Sequence, residues 1–239
     1  MFSVIIPTLN EEELLPRLLD QLTPELRRRF KVEVIISDGG STDKTLALTK
    51  KYNCQVVEKL EHEQQTIGSA RNKAAWRARG DILIFMDADG YWQNPWHFFS
   101  QVKHAFSDPR ITAATVRVEI GPPERTFKDQ MWQGFFNNLF YFENKIGIGM
   151  GRGNCQIVRA SSFRQAHGYN ERLVAGEDYD LFRRLRQVGR VKFFWPLVIY
   201  ESPRRFRKLG YVKVAWWWLV NSSGALLRGR AWSKKWHRV

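Results

Sequence analysis

GDILIFMDADG, residues 80–90, is the stretch that decides the fold of this chain. Its apolar run, 82–86, is typical of a strand that is buried on both faces, as in a parallel sheet. Asp87 and Asp89 follow directly, and open α/β sheets bind their ligands at this carboxyl edge. Because two close acids repel each other unless a cation lies beside them, and oxygen ligands suit hard ions, the pair indicates a Mg²⁺ or Mn²⁺ site. An ordinary turn, which Asp and Gly also favour, is the alternative.

Strands and helices alternate around this stretch. Strands are predicted at 2–7, 31–37, 55–58 and 82–86, and helices at 11–22, 44–51 and 67–79. Asn10 is the expected N-cap of the first helix. Further patterns predict helices at 94–106, 161–166 and 177–188, and strands at 111–120, 155–159 and 191–199. The order is that of a doubly wound α/β fold with a mostly parallel central sheet.

Composition limits the class of protein. With 239 residues, 44% of them hydrophobic, the chain can bury a large core, either as one α/β domain or as a domain with a tail. Cys54 and Cys155 stand alone, which indicates neither a zinc site nor a disulfide framework and favours a reducing, cytoplasmic setting. The N-terminus lacks the basic region of a signal peptide, and no stretch supplies the roughly 20 apolar residues of a spanning helix.

The net charge of +14 is concentrated at the C-terminus. Residues 203–239 hold ten Lys or Arg, no Asp or Glu, and five of the ten tryptophans. Basic residues mixed with Trp suit an anionic membrane surface or a nucleic acid. We therefore expect a folded domain over 1–202, with halves at about 1–90 and 91–202, and a helical, basic and aromatic tail over 203–239.

Four segments, taken in order, carry a resemblance to a known family. They are SVIIPTLNEEE at 3–13, VEVIISDGGSTDKT at 32–45, GSARNKAAWRARGDILIFMDAD at 68–89, and GRGNCQIVRASSFRQAHGYNERLVAGEDYDLFRRL at 151–185. Together they resemble glycosyltransferase family 2, whose members have the GT-A fold, and the resemblance covers about residues 1–200. It implies an inverting enzyme that moves a sugar from a UDP- or GDP-linked donor to an acceptor hydroxyl or phosphate, with Mg²⁺ or Mn²⁺ on the diphosphate.

The resemblance also implies roles for individual residues in donor binding. The residues implied are Pro7, Thr8, Leu9 and Glu11 after the first strand, Asp38 at the base, Arg71 at ribose or diphosphate, and Asp87, Ala88 and Asp89 as the DxD motif. Asp89 is the expected direct metal ligand, and Asp87 contacts the ribose or a metal-bound water. Three alternatives stay open: Glu11 as a first-turn helix acid, Asp38 as a turn cap, and Arg71 as a surface arginine paired with glutamates.

The remaining implied role is that of the catalytic base. The resemblance assigns it to Asp178, with Glu177 as the near alternative, although acids at a helix N-terminus are stabilising in any case. Arg152 and its neighbouring glycines would wall the acceptor or the donor sugar. Some members use a histidine after the last strand as a metal ligand; here either Glu201 substitutes, or diphosphate and water complete the sphere. No QxxRW motif follows, so the resemblance does not extend to processive synthases.

The tail and the aromatic face of residues 132–140 bear on the acceptor. Residues 213–227 are too polar to cross a bilayer but apolar enough to lie in its interface. We expect them to dock the enzyme on the inner face of the cell membrane, where it would meet a lipid-linked acceptor; packing on the core or on a second subunit is the alternative. Two other functions compete. A nucleotidyltransferase would carry a glycine-rich, lysine-containing signature after the first strand, where this sequence has TLNE at 8–11. A nucleic-acid-binding protein would have no use for Asp38, Asp87, Asp89 and Asp178.

Overall fold

A single eight-stranded sheet, in the order β3-β2-β1-β4-β7-β6-β8-β5, forms the centre of the molecule. The computed structural model describes residues 1–60, 62 and 64–228. The strands are β1 Phe2–Thr8, β2 Val32–Asp38, β3 Gln55–Glu58, β4 Ile82–Met86, β5 Tyr91–Trp92, β6 Ile111–Ile120, β7 Cys155–Arg159 and β8 Arg190–Glu201. The helices are α1 Leu15–Asp20, α2 Pro24–Phe30, α3 Thr45–Lys51, α4 Ile67–Arg77, α5 Pro95–Ala105, α6 Phe127–Lys145, α7 Ala160–Gln165, α8 Glu177–Val188, α9 Arg204–Leu209 and α10 Tyr211–Arg228.

Helices cover both faces of the sheet. Successive residues of β1 and β4 point to opposite faces, so Val4 and Ile84 pack in one apolar cluster, and Ile5 and Phe85 in another. Helices α1, α2 and α5 cover the first face, and α4, α7 and α8 cover the second. Burial on both faces explains why these strands read as continuous apolar runs.

The prediction of a mostly parallel sheet is wrong, because the sheet is mixed. Strands β1 to β4 pair in parallel, but β7 is antiparallel to both β4 and β6, and β5 is antiparallel to β8. In the β4–β7 ladder Cys155 lies opposite Met86, so β7 begins where β4 ends. The loop before β7, residues 147–154, therefore lies at the same sheet edge as Asp87 and Asp89. An apolar run in the sequence shows that a strand is buried, but not in which direction it runs.

The helix predicted at 11–22 is also wrong in its extent. Helix α1 begins only at Leu15, with Pro16 in its first turn, and the unpredicted α2 follows it. Asn10 is not an N-cap: it has φ of 56°, and its Oδ1 accepts a hydrogen bond of 2.8 Å from the backbone N–H of Thr42. It ties the loop after β1 to the loop after β2, and both loops border the site described below.

The C-terminal helices pack against α6 through a buried acid. Asp129 of α6 is fully buried and accepts a hydrogen bond of 2.8 Å from Arg207 and another from the hydroxyl of Tyr211. Trp132 stacks on Tyr211 with 5.4 Å between ring centroids. Helix α10 continues to Arg228, and the tryptophans at 232 and 236 lie outside the described residues.

Candidate active site at the carboxyl edge of the sheet

Two adjoining cavities open at this edge, and Asp87 lines both of them. The first has a volume of about 640 Å³ and lies at the ends of β1, β2 and β4. The second, of about 370 Å³, lies between α6, α10 and the N-terminus of α8. We call them the edge cavity and the helix cavity.

The edge cavity gathers most of the residues predicted for donor binding. Its walls include Pro7, Thr8, Leu9, Glu11, Asp87, Ala88 and Asp89. They converge because β1 and β4 are neighbours and parallel, so the loops that follow both strands meet at one edge.

Asp38 lies beside the edge cavity but is not part of its wall. Its carboxylate is buried and accepts hydrogen bonds from the backbone of Gly40 and Ser41 at 2.8 and 2.7 Å and from the Thr8 hydroxyl at 3.0 Å. These hydrogen bonds cap the turn after β2, which is the alternative role predicted for Asp38. Recognition of a base by Asp38 stays a prediction.

Arg204, at the start of α9, joins two of the acids in the edge cavity. Its Nη2 donates to Glu11 Oε1 at 2.7 Å, and its Nε lies 3.2 Å from Asp89 Oδ2. Burial, together with the charge of Asp87, raises the pKa of Asp89 to about 7, although Arg204 opposes this shift. Arg204 thus lies between two acids of the cavity, and Asp87 adds a third carboxylate beside Asp89.

The donor atoms at this point fit a hard divalent cation. Asp87 and Asp89 present carboxylate oxygens, and Glu11 Oε2 is buried without a hydrogen-bond partner. Nowhere in the described part of the chain do three or more His, Cys, Asp or Glu side chains form a group that could hold a metal ion by themselves. A cation here would need further ligands, as Mg²⁺ usually takes from phosphate and water.

Arg71 lines the helix cavity and contacts Asp87, which lines both cavities. Its side chain is 1% exposed, which rules out the surface arginine of the alternative interpretation. Nη2 donates to Asp87 Oδ1 at 2.8 Å and to the carbonyl of Gly153 at 2.9 Å, and Nη1 donates to Glu177 Oε1 at 3.1 Å. These contacts fix the positions of both acids, and binding of a nucleotide by Arg71 stays a prediction.

Glu177 and Asp178 begin α8 and differ in their surroundings. Glu177 is buried and held by Arg71, whereas Asp178 is half-buried and lines the helix cavity beside Gly153. Burial and the charge of Asp178 raise the pKa of Glu177 to about 8. Burial also raises the pKa of Asp178 above that of an ordinary aspartate. Of the two acids, Asp178 has the more open path to a bound molecule.

Arg152 and Glu201 form a buried polar network between the cavities. Arg152 donates to Gln133 and Asn137 at 3.0 and 3.1 Å, and burial lowers its pKa to about 10. Glu201 accepts from Gln133 at 2.6 Å and from Asn154 at 2.8 Å. The loop 151–153 lines the helix cavity, and its role as a wall for the acceptor or the donor sugar stays a prediction. The carboxylate of Glu201, which was considered as a metal ligand in place of histidine, already accepts hydrogen bonds from Gln133 and Asn154.

Apolar residues of α6 and α10 form the outer wall of the helix cavity. Phe136, Leu139 and Phe140 come from α6, and Trp217, Trp218 and Leu219 from α10. Because Trp218 packs edge-on against Phe136, with 5.2 Å between centroids, one part of the predicted aromatic face lies against the tail helix.

Sequence reasoning missed the role of Arg204 and the burial of Arg71. Arg204 meets Glu11 across 193 positions of the chain, and nothing local marks such a pair. The one available signal was its place just after the last strand, where the chain returns to the sheet edge.

Comparisons with known proteins identify the family of this chain. Residues 3–166 match the family model described as glycosyl transferase family 2. The chain is 37% identical over 93 residues to the poly(ribitol-phosphate) β-N-acetylglucosaminyltransferase TarS of Staphylococcus aureus, a stretch of 38% of this chain and 16% of TarS. It is 35% identical over 92 residues to the glycosyltransferase AglE of Haloferax volcanii, or 36% of this chain and 30% of AglE. The aligned stretch thus spans less than a third of either relative.

Solved structures show the same fold. Residues 1–349 of S. aureus TarS superpose with a TM-score of 0.60 at 24% identity, over 87% of this chain and 62% of that one. A mannosyltransferase from Pyrobaculum calidifontis, solved with GDP-Man and Mn²⁺, gives a TM-score of 0.70 at 23% identity, over 96% and 65%.

The fold of this chain is the GT-A fold of these structures. Among proteins of this fold, the chain belongs to glycosyl transferase family 2. The predicted GT-A fold and the family resemblance are thereby confirmed, although the sheet is mixed rather than mostly parallel. Among the helices that the structure describes, none is long and apolar enough to cross a membrane.

Proposed function

We propose that this protein transfers a sugar from a nucleoside-diphosphate sugar to an acceptor hydroxyl or phosphate, with inversion at the anomeric carbon. The observation that carries the proposal is the convergence of Asp87, Asp89 and Asp178 on two cavities that share a wall. The edge cavity would hold the nucleotide and its diphosphate, and the helix cavity the acceptor. The sugar would lie between them, near Asp87.

Donor chemistry is supported by the structural neighbours and by the donor atoms of the edge cavity. TarS has been solved with UDP-GlcNAc and with UDP, and the Pyrobaculum enzyme with GDP-Man and Mn²⁺. Asp89, with Asp87, would hold Mg²⁺ or Mn²⁺ in this chain. When bound, the ion supplies positive charge to the diphosphate that leaves.

Asp178 is the proposed base for a hydroxyl acceptor. Its carboxylate accepts the hydroxyl proton while the acceptor oxygen forms a bond to the anomeric carbon. The bond between that carbon and the diphosphate oxygen breaks, and the nucleoside diphosphate leaves with the electron pair. Glu177 cannot serve as readily, because Arg71 already occupies its carboxylate.

The proposed acceptor is lipid-linked and is reached at a membrane surface. Exposed apolar residues recur every three or four positions on α6, at Phe127, Met131, Phe135, Leu139 and Phe142. Helix α10 exposes Val212, Trp216 and Leu219 in the same way. We call these two rows the apolar stripes. Leu139 and Leu219 also line the helix cavity, so the stripes lead to it, and the exposed Lys128, Lys145 and Lys213 suit anionic headgroups.

A nucleotide-sugar screen tests the proposed reaction. Thermal stability and donor hydrolysis would be measured with UDP- and GDP-linked sugars, each with and without Mn²⁺. We expect metal-dependent stabilisation and slow hydrolysis with one base, and loss of hydrolysis in Asp178→Asn. If no nucleotide sugar binds in the presence of Mn²⁺ or Mg²⁺, the proposed function is wrong.

A further inference from the structure

Arg204 contacts Asp89, one of the two carboxylates that the proposed function assigns to a cation, and the neighbouring Glu11. Its guanidinium contacts Glu11 Oε1 at 2.7 Å and Asp89 Oδ2 at 3.2 Å, and Asp89 is the expected direct metal ligand. A divalent ion bound to Asp89 and this guanidinium would repel each other, and they would compete for the same oxygen.

These contacts are not what holds α9 in place. Phe206, in the middle of the helix, is 3% exposed and stacks on Tyr211, and Arg207 pairs with the buried Asp129. Arg204 itself has a side chain that is 37% exposed. The guanidinium can therefore leave the acids without unpacking the helix.

The pair of acids is also incompletely neutralised. Glu11 Oε2 is buried and has no hydrogen-bond partner, although its other oxygen is bound. An arrangement that leaves a carboxylate oxygen unsatisfied costs free energy, which a ligand can recover. Glu11 thus keeps one oxygen that can accept a further ligand at this site.

We infer that Arg204 is a displaceable stand-in for the metal: it bridges Asp89 and Glu11 until donor and ion bind, and then pairs with the donor's diphosphate. The inference rests on the proposed function. Arg204 and Asp89 both line the edge cavity, so the released guanidinium stays within a side chain's length of any diphosphate bound there. Arginine forms paired hydrogen bonds with phosphate oxygens, which makes it suited to the second role.

The two roles predict opposite effects of one substitution. In Arg204→Gln the competitor is gone, so we expect Mn²⁺ alone to bind at least about threefold more tightly than to the wild type. The partner of the diphosphate is gone as well, so UDP or GDP in saturating Mn²⁺ should bind about tenfold more weakly. Arg204→Lys, which keeps the charge but not the fork, should recover part of the nucleotide affinity.

Isothermal titration of the whole protein with Mn²⁺, and then with UDP and GDP in Mn²⁺, measures both effects. Lys208→Gln is the matched control, because it removes the same charge from an exposed position of the same helix and should change neither affinity. Equal affinities in wild type and Arg204→Gln, or a loss of both, would overturn the inference while leaving the proposed function intact. Failure of the wild type to bind either nucleotide would overturn both.

Discussion

Arg71 and Asp87 form a salt bridge of 2.8 Å at the point where the edge cavity and the helix cavity meet. The same guanidinium holds Glu177, so one buried cation fixes the end of β4 relative to the start of α8. A lysine cannot make both contacts in the same geometry. Arg71→Lys should therefore lower the free energy of unfolding by about 3 kcal/mol, since it leaves a buried acid without its partner.

Denaturant unfolding followed by circular dichroism measures this change. Arg110→Lys is the control, because Arg110 pairs with Asp108 on the surface, where solvent screens the ion pair and its loss should change stability little. A loss for Arg71→Lys no larger than that of the control would show that the buried bridge is dispensable for stability.

Asp178→Asn keeps the shape of the side chain but removes the proposed base. We expect kcat for transfer to a hydroxyl acceptor to fall by about 10²–10⁴, with the affinity for nucleotide unchanged. Steady-state kinetics and nucleotide titration separate the two quantities. Glu177→Gln is the comparison: because Glu177 is held by Arg71, its loss should act mainly on stability. A larger loss of kcat in Glu177→Gln would transfer the assignment to that residue.

The pH profile gives an independent test of the base. Burial raises the pKa of Asp178, so its ionised fraction falls at a higher pH than that of an ordinary aspartate. The base must be ionised to accept a proton. The acidic limb of kcat/KM should thus lie above the ordinary aspartate value of about 3.9, and should disappear from the residual activity of Asp178→Asn. An acidic limb unchanged in that variant would point to another group.

Asp129 should contribute to stability through its contacts with the C-terminal helices. Burial alone would raise its pKa, but hydrogen bonds from Arg207 and Thr126 outweigh burial and place the pKa below the ordinary value. Because the folded-state pKa is the lower one, the stabilisation is complete above the unfolded pKa and is lost as pH falls through the folded pKa. Asp129→Asn should cost about 2 kcal/mol at pH 7, and the difference from wild type should shrink in acid. Urea unfolding at several pH values measures it, and a difference independent of pH would contradict the ionic origin.

Membrane docking depends on the apolar stripes. Met131→Glu with Phe135→Glu places two charges on exposed positions of α6 that do not line the helix cavity, and should reduce co-sedimentation with anionic vesicles by about tenfold. The control is Trp76→Glu, which changes an exposed aromatic residue on α4 outside the stripes. If the wild type does not bind anionic vesicles, or the stripe and control variants bind alike, the membrane proposal fails.

The sequence alone predicts where the strands lie better than it predicts their direction or the contacts between distant residues. The strands at 55–58, 82–86, 111–120 and 155–159 and the helix at 177–188 were predicted at their observed bounds, because an apolar run or stripe marks burial directly. Asp87 and Asp89 were found because they adjoin such a run. The direction of β7 was not predictable, because an apolar run shows the same pattern whether the strand is parallel or antiparallel to its neighbours.

The contacts of charged residues with partners far away in the sequence were not predicted, for a different reason. Arg71 lies on a helix rich in Ala and Arg, and the sequence of such a helix favours a solvent-exposed arginine. The side chain is buried because the end of β4 and the start of α8 meet around it. Arg204 depends on the return of β8 to the edge where Glu11 lies. Such pairs are products of topology, and a single sequence contains no local trace of them.

Because β7 runs antiparallel to β4, the loop before it lies at the carboxyl edge of the sheet, and the two cavities there are built largely from different segments of the chain. The residues proposed to bind the donor, apart from Arg204, all precede residue 90. Most of the wall of the helix cavity comes instead from the segment between 136 and 153 and from α10. An exchange of that segment with a relative could thus alter acceptor choice while leaving nucleotide preference untouched. If the proposed function is correct, donor and acceptor are thus bound by separate segments of the chain.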